Sequence, residues 1–248
     1  REKERKREER KRERERERKS LLGASVYWRK VTMLKVVLFF ILAVASVKSD
    51  KPEYVVSNVS LYYESLCPYS RDYITGSLNT AYERVPELLR MVEFVPYGIA
   101  EETIVNGTYQ YSCQHGPHEC EANQKESCVI RYYPNYNTYF PIIECMSADS
   151  EPWTALDRCS FGHDMTPVHE CYESGEGLKL QHRARLLQDN LSPPLNYVPW
   201  IIINQEHNDA IQNNAQLSLT RYLCSLQTSL CPPGCFDIKI APGCPNVQ

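Results

Sequence analysis

This 248-residue sequence has little basic charge in its main part, no long hydrophobic run and no cysteine before residue 67. Residues 50–248 contain 12 basic and 24 acidic residues, a balance that argues against nucleic acid as a partner. The apolar run Val36–Val44 has nine residues, whereas a membrane-spanning helix needs about 20. We therefore expect neither nucleic-acid binding nor stable membrane insertion of the mature chain.

The first 49 residues have the composition of a leader rather than of a folded domain. Residues 1–32 begin with 19 residues that are only arginine, lysine and glutamate, and we expect them to lie outside the mature protein; a charged single helix or a basic arm is the alternative. Residues 33–49 fit a secretory signal peptide, because a positive start precedes the apolar run and small residues follow it. Cleavage would leave one domain, residues 50–248, although an uncleaved signal anchor would place the same residues in the lumen.

Eleven cysteines lie between Cys67 and Cys244. This density is typical of secreted or lumenal proteins, in which disulfides persist. The odd number leaves at least one thiol free or paired with another molecule. If Cys67 is the free thiol, the other ten cysteines can form five pairs, although any of the eleven satisfies the parity and Cys67 could itself be a structural disulfide partner.

The order of the predicted elements indicates an α/β fold. Alternating apolar residues predict a strand over residues 58–64, and apolar residues at helical spacing follow it until Pro86. Further strands are predicted over residues 92–96 and 200–204, and a C-terminal helix follows the last one. Residues 107–195 contain many cysteines and are predicted to be mostly helical. The sequence therefore predicts an α/β sandwich with a cysteine-rich helical insertion.

Cys67 is the residue best placed for chemistry. It lies where the first strand gives way to a helix, and Pro68 fits the first helical turn. A thiol there meets the partial positive charge of the helix N-terminus, which favours the nucleophilic thiolate. A strand, Cys-Pro-x-x and a helix, followed much later by a proline before a buried strand, is the thioredoxin-like layout. In that layout the distant proline, here Pro199, is usually cis and shapes the substrate groove.

The motif Cys67–Ser70 has a serine at its last position, Ser70, where a two-thiol site has its second cysteine. The usual two-thiol cycle needs a second thiol to attack the mixed disulfide and release the substrate. Two hypotheses follow. Either Cys67 attacks a substrate disulfide and an external thiol completes the cycle, or the domain has lost turnover and acts by binding a protein or cell-surface partner. Both hypotheses predict the same fold and the same compartment.

A cysteine-rich segment carries a specific signature. Residues 113–128 read Cys-Gln-His-Gly-Pro-His-Glu-Cys-Glu-Ala-Asn-Gln-Lys-Glu-Ser-Cys and match the pattern C-Q-H-G-x2-E-C-x2-N-x4-C. The fixed positions are Cys113, Gln114, His115, Gly116, Glu119, Cys120, Asn123 and Cys128. On these residues the chain resembles the gamma-interferon-inducible lysosomal thiol reductase (GILT) family, and the resemblance extends over about residues 55–230.

The resemblance implies a disulfide-stabilised thioredoxin-like fold and a thiol oxidoreductase of the endosomal, lysosomal or extracellular space. The substrates would be disulfide-containing proteins, with a small-molecule thiol as the second reactant and no cofactor. The family's first active-site cysteine corresponds to Cys67 and its second to Ser70, so this chain is a Cys-x-x-Ser variant. Histidines beside the signature cysteines raise the alternative of a zinc site, but their spacing differs from that of zinc motifs; disulfides are favoured and no metal is expected.

Three Asn-x-Ser/Thr sequons, at Asn58, Asn106 and Asn190, suit a secreted glycoprotein. Asn190 is the least favourable of them, because a proline follows it closely. Asn58 is also disfavoured, because it lies in a predicted strand. The sequence therefore predicts Asn106 as the best glycan acceptor.

Overall fold

A computed structural model of the protein describes residues 53–228 and 230–238. The predicted leader and signal peptide, residues 1–49, lie outside the described residues, as does Cys244. None of the helices in the described ranges is both long enough and apolar enough to cross a membrane.

Three strands form the main sheet, in which β1 (Ser57–Tyr63) lies between β2 (Leu89–Pro96) and β5 (Trp200–Ile203). β1 pairs in parallel with β2 and antiparallel with β5, and Tyr62 lies opposite the first residue of β5. β1 and β5 bury side chains on both faces of the sheet. This two-sided burial explains why the β5 sequence is a continuous apolar run.

After β1 and a short turn, a helical segment runs without interruption from Pro68 to Arg84. It consists of α1 (Pro68–Asp72), a π-helical part (Tyr73–Leu78) and α2 (Asn79–Arg84). Its apolar side chains join those of β1 and β2 in the main core. The remaining helices are α3 (Pro117–Tyr132), α4 (Tyr136–Ala148), α5 (Thr166–Glu173), α6 (Glu176–Asp189) and α7 (Asp209–Ser225), with 3-10 turns at Pro86–Leu88, Pro152–Thr154 and Pro233–Cys235.

The inserted region, predicted to be mostly helical, begins with a β-hairpin that the sequence analysis missed. β3 (Glu101–Val105) pairs antiparallel with β4 (Thr108–Ser112) across a turn formed by Asn106 and Gly107. Both turn residues have positive φ angles, 52° and 78°, a conformation that asparagine and glycine tolerate. Four helices, α3 to α6, complete the insertion.

Four disulfides have both partners among the described residues. They are Cys113–Cys120, Cys128–Cys171, Cys145–Cys159 and Cys224–Cys235. The first three lie within the insertion, and the fourth ties the C-terminal segment to α7. Cys231 is disulfide-bonded as well. Among the described cysteines, Cys67 is the free thiol.

The elements follow the predicted order of strand, helix, strand, insertion, strand and helix. The structure adds that the second strand is parallel to the first and the last is antiparallel to it. Cys67 directly precedes α1, and Pro199 directly precedes β5. The chain therefore has a disulfide-stabilised thioredoxin-like α/β fold with a cysteine-rich, largely helical insertion, and the predicted fold class is confirmed.

Candidate active site

Cys67 lies at the start of the helical segment that follows β1. It has extended backbone angles (φ −62°, ψ 120°) at the position before the first helical residue, Pro68. Its carbonyl accepts the first helical hydrogen bond from the Arg71 amide at 3.0 Å. The side chain is buried, with 5% of its surface exposed. The thiol thus belongs to the residue at the N-terminus of a helical segment, where the first backbone N–H groups have no partner within the helix.

Ser70, the second polar position of the motif, is fully buried. It lies three residues after Cys67, at the third residue of α1. Within the described residues its hydroxyl oxygen has no hydrogen-bond partner. A hydroxyl can donate a hydrogen bond to a nearby sulfur, but it cannot replace the attacking thiol of a two-cysteine site.

Pro199 lies at the end of the sheet where β1 leads to the motif. The Val198–Pro199 peptide bond is cis, and the antiparallel pairing of β1 with β5 puts Pro199 beside the carboxyl end of β1. Gln212 of α7 is buried and holds this position with two hydrogen bonds. Its Nε2 donates to the Pro199 carbonyl and its Oε1 accepts from the Ile201 amide, both at 2.9 Å. Sequence reasoning missed Gln212, whose signal was a polar residue on an otherwise apolar helix face.

The signature segment packs against the turn that joins β1 to Cys67. Asn123 Oδ1 accepts from the Ser65 amide at 3.0 Å, and the Ser65 hydroxyl donates to the Glu119 carbonyl at 3.2 Å. Gln181 of α6 donates to the Asn123 carbonyl at 3.0 Å and fixes α3 from the other side. The signature therefore supports the backbone that leads to Cys67, a role that its sequence did not reveal.

The other signature positions shape the start of α3. Cys113 and Cys120 are joined in a disulfide across the first turn, and Gly116 precedes the helix with φ 90°. That angle lies in the region that favours glycine. Gln114 is exposed. Cys128 is bonded to Cys171, so the disulfide interpretation of the signature cysteines is confirmed and their sulfurs are not available as zinc ligands.

Glu64 is buried in the turn before Cys67, although the strand pattern placed it on the polar side of β1. Its Oε1 accepts from the Ile99 amide at 2.7 Å. Gly98 leaves the space for this carboxylate, because a Cβ there would lie 2.2 Å from Glu64 Cγ. Burial raises the pKa of the Glu64 carboxyl above its usual value; the Ile99 hydrogen bond opposes this shift and the negative charge of Glu119 adds to it.

Glu126, on the same helix as the signature, is buried beneath the motif. Tyr63, the last residue of β1, donates to Glu126 Oε2 at 2.6 Å. Burial raises the pKa of Glu126 to about 8, and the hydrogen bond from Tyr63 and the charge of Arg71 only partly oppose this shift. The carboxyl is therefore neutral in the folded protein at acid pH.

An open pocket of about 450 Å³ lies beside the motif, between the helical segment and α7. It is bordered by Tyr69, two residues after Cys67, and by Leu217 of α7, which are 69% and 80% exposed. α7 bends next to Leu217, because Ser218 has non-helical backbone angles. These exposed apolar side chains offer a contact surface for an apolar segment of a substrate.

The three sequons differ in their surroundings. Asn106 is exposed at the tip of the β3–β4 turn. Asn58 is half-buried within β1, and its backbone amide donates to Asn204 Oδ1 at 2.9 Å. Asn190 follows α6, and its side-chain amide donates to the Leu186 carbonyl at 2.6 Å. Asn106 and Asn190 are thus both exposed, and Asn190 differs in that its side-chain amide is engaged in a hydrogen bond.

Replacing Asn123 by alanine should lower the unfolding free energy and remove the support of the turn that precedes Cys67. The buried Ser65 amide would lose its acceptor, which costs about 1–3 kcal/mol of unfolding free energy. Urea unfolding measures this loss. Gln114→Ala, at an exposed signature position, is the matched control and should change stability by less than about 0.5 kcal/mol. Equal effects of the two substitutions would contradict the positioning role of Asn123.

Two of the known proteins that are similar to this chain are named as thiol reductases. The family model described as gamma interferon inducible lysosomal thiol reductase (GILT) matches residues 58–163. The gamma-interferon-inducible lysosomal thiol reductase of Carassius auratus is 38% identical over 181 residues, which are 71% of this chain and 71% of that protein. The Mus musculus protein of the same name is 34% identical over 152 residues, 60% of each chain. Among solved structures, DsbA from Chlamydia trachomatis is similar with a TM-score of 0.45 and 11% identity, over 62% of this chain and 77% of that one.

Proposed function

This chain belongs to the gamma-interferon-inducible lysosomal thiol reductase family of thiol oxidoreductases, and on that premise we propose that it reduces protein disulfides by a monothiol mechanism through Cys67. One observation carries the proposal. Cys67 is the free thiol among the described cysteines and begins a helix, whereas the position three residues later is a serine.

The proposed cycle has three exchange steps. The Cys67 thiolate attacks one sulfur of the substrate disulfide, forms a mixed disulfide with it and releases the other sulfur as a thiolate, which takes up a proton. One external thiol then attacks the Cys67 sulfur of the mixed disulfide, which releases the second substrate sulfur and leaves Cys67 bonded to the external thiol. A second external thiol attacks the sulfur of the first and releases Cys67. The substrate leaves with both sulfurs reduced, two external thiols become one disulfide, and Cys67 returns as a thiolate.

Ser70 would stabilise the thiolate rather than resolve the intermediate. Its buried hydroxyl is unpartnered within the described chain and lies one helical turn from Cys67. A hydrogen bond from a hydroxyl to an ionised acceptor is stronger than one between neutral groups. Once turned toward the Cys67 sulfur, the hydroxyl would lower the free-energy cost of holding the thiolate in a buried position.

The proposed substrates are disulfides in extended or unfolded segments. Cys67 exposes only 5% of its surface, so a disulfide held inside a folded domain cannot reach it. Pro199 at the adjacent end of the sheet would shape the groove that receives the substrate backbone. The exposed side chains of Tyr69 and Leu217 would contact apolar residues beside the substrate cysteine.

Reduction of a disulfide-containing protein, measured with excess small thiol at about pH 4.5 and pH 7, tests the proposal. We expect turnover with the wild-type chain, because Cys67 supplies the attacking sulfur. Cys67→Ser should reduce the rate to that of the small thiol alone. Wild-type turnover no higher than that of the variant would refute the reductase proposal and favour a protein that acts by binding a partner.

We also propose that the mature protein, residues 50–248, reaches an endosomal, lysosomal or extracellular compartment through the secretory pathway and carries a glycan on Asn106. The disulfides and the exposed turn at Asn106 support this proposal. Asn106→Gln should remove most of the mass that an N-glycosidase releases from the secreted protein, and Asn190→Gln should remove little. An unchanged mass loss in Asn106→Gln would contradict the assignment.

A further inference from the structure

Three side chains from two distant parts of the sequence meet beside the turn that precedes Cys67. Glu64 belongs to that turn, His115 to the loop before α3, and Glu119 to the first turn of α3. One ligand atom of each lies within 4.8 Å of the other two. His115 Nδ1 is 2.6 Å from Glu119 Oε2 and 3.4 Å from Glu64 Oε2. The three atoms thus converge on one small volume.

Among the described residues, His115 is the one basic side chain that pairs with the two carboxylates of this group, and it can carry at most one positive charge. Both side chains are fully buried, and in the described part of the chain neither forms an ion pair with a lysine or an arginine. The Ile99 backbone amide donates to Glu64 Oε1, and the His115 backbone amide donates to Glu119 Oε1. Glu64 Oε2 has no hydrogen-bond partner among the described residues and is aimed at His115. Buried carboxylates are normally paired with cations or coordinate a metal.

We propose that Glu64, His115 and Glu119 form a binding site for one divalent transition-metal ion, for which Zn²⁺ is the probe. One imidazole nitrogen and two carboxylate oxygens are ligands that zinc accepts, and a dication neutralises the two carboxylates. The site is independent of the proposed reductase activity, since Cys67 is not one of its ligands. The sequence analysis did not foresee it, because Glu64 lies about 50 residues from the signature.

The geometry suits a four-coordinate ion with a small adjustment. Ligands at about 2.1 Å from a tetrahedral metal lie about 3.4 Å apart, the distance between His115 Nδ1 and Glu64 Oε2. The contact between His115 and Glu119 must open by less than 1 Å, which rotation of His115 supplies, because 32% of its side chain is exposed. The same exposure gives the ion an entry path and leaves room for a water as the fourth ligand.

The surrounding fold holds the ligands in place before any ion binds. The Cys113–Cys120 disulfide closes the loop that contains both His115 and Glu119. Glu64 is held by the Ile99 amide, and its carbonyl accepts from the Cys67 amide at 3.2 Å. A bound ion would therefore connect the signature segment to the turn that ends at the reactive cysteine.

Equilibrium dialysis against Zn²⁺ at about pH 7, with the bound metal counted by mass spectrometry, tests the site. Cys67→Ser serves as the background for all proteins, because a free thiolate would itself bind zinc. We expect one Zn²⁺ per chain. His115→Asn and Glu64→Gln should each weaken binding at least tenfold, since even residues that only support a metal ligand change affinity by about 10–100-fold.

His118→Asn and Glu121→Gln are the matched controls. They remove an exposed histidine and its carboxylate neighbour, 3.5 Å apart on the same helix, and should leave Zn²⁺ binding unchanged. If Glu64→Gln does not fold, as judged by circular dichroism, the partly exposed His115 decides the question. No binding of Zn²⁺ up to about 1 mM, the weak end of protein metal sites, or equal binding by His115→Asn, would overturn the proposal.

Discussion

Replacing Ser70 by cysteine should change the number of thiols that the chain releases from a small aromatic disulfide from one to two. In the wild type, Cys67 attacks the reagent, releases one aromatic thiol and stays in a mixed disulfide. In Ser70→Cys the introduced thiol lies one helical turn away and attacks Cys67, which releases the second aromatic thiol. Because this step is intramolecular, it should proceed at least about a hundredfold faster than release from the wild-type adduct.

Absorbance of the released thiol and the intact mass of the protein measure this change. The matched control combines Ser70→Cys with Cys67→Ser, so that the introduced thiol has no partner and can only form its own adduct. A second thiol that is not released from Ser70→Cys would mean that position 70 does not face the Cys67 sulfur. The monothiol proposal would then lose its structural explanation.

The unfolding free energy of the protein should fall as pH rises from about 5 to about 8, and Glu126→Gln should remove part of that fall. Burial raises the pKa of Glu126 to about 8, above the ordinary value of 4.5. Between these values the folded state keeps a proton that the unfolded state releases, so rising pH favours unfolding. Each such proton changes stability by about 1.4 kcal/mol per pH unit. The contribution of Glu126 is complete below about pH 4.5 and lost as pH rises through 8.

Urea unfolding at about pH 5, 6 and 7 measures the slope in the wild type and the variant. Glutamine keeps an acceptor for the Tyr63 hydroxyl but cannot ionise. Glu173→Gln makes the same substitution at an exposed position and should leave the slope nearly unchanged. Glu64, whose pKa is also raised, should keep some slope in Glu126→Gln. An unchanged slope in Glu126→Gln would show that Glu126 ionises equally in both states.

Greater stability at acid pH is consistent with the proposed endosomal or lysosomal setting. Carboxyls whose pKa values are lowered in the folded protein have the opposite effect. They lose their contribution to stability as pH falls, and they do so at a lower pH. The pKa of Glu102, for example, is lowered by its hydrogen bonds from His182 and Tyr111, which outweigh the effect of burial. Its contribution is lost only as pH falls below its ordinary value of 4.5. Glu126 therefore lowers stability toward neutral pH and Glu102 lowers it toward strongly acid pH, so together they favour a maximum at mildly acid pH.

Much of the fold could be predicted from the sequence because its signals are local. The alternation in β1, the apolar run of β5 and Pro68 at a helix start each depend on a few neighbouring residues. The hairpin of β3 and β4 also had a local signal, Asn106-Gly107, but its strands are mostly exposed and lack an apolar pattern. The fold class was therefore predictable, while this part of the insertion was not recognised.

The support of the active site could not be predicted, because it depends on contacts between distant residues. Asn123 reaches Ser65 across 58 positions, and Gln181 reaches Asn123 across another 58. Ten cysteines besides Cys67 allow many pairings, and spacing alone does not choose among them. The burial of Glu64 was hidden for a related reason: Gly98, more than 30 residues away, provides the space for its side chain.

The most direct test of the monothiol mechanism is the intact mass of the protein after reaction with a disulfide-containing protein substrate in the absence of small thiol. Acid quenching preserves the products. We predict a covalent one-to-one adduct that disappears when small thiol is added, and no adduct with Cys67→Ser. Absence of the adduct from the wild type, or its presence in Cys67→Ser, would contradict a mechanism in which Cys67 attacks the substrate.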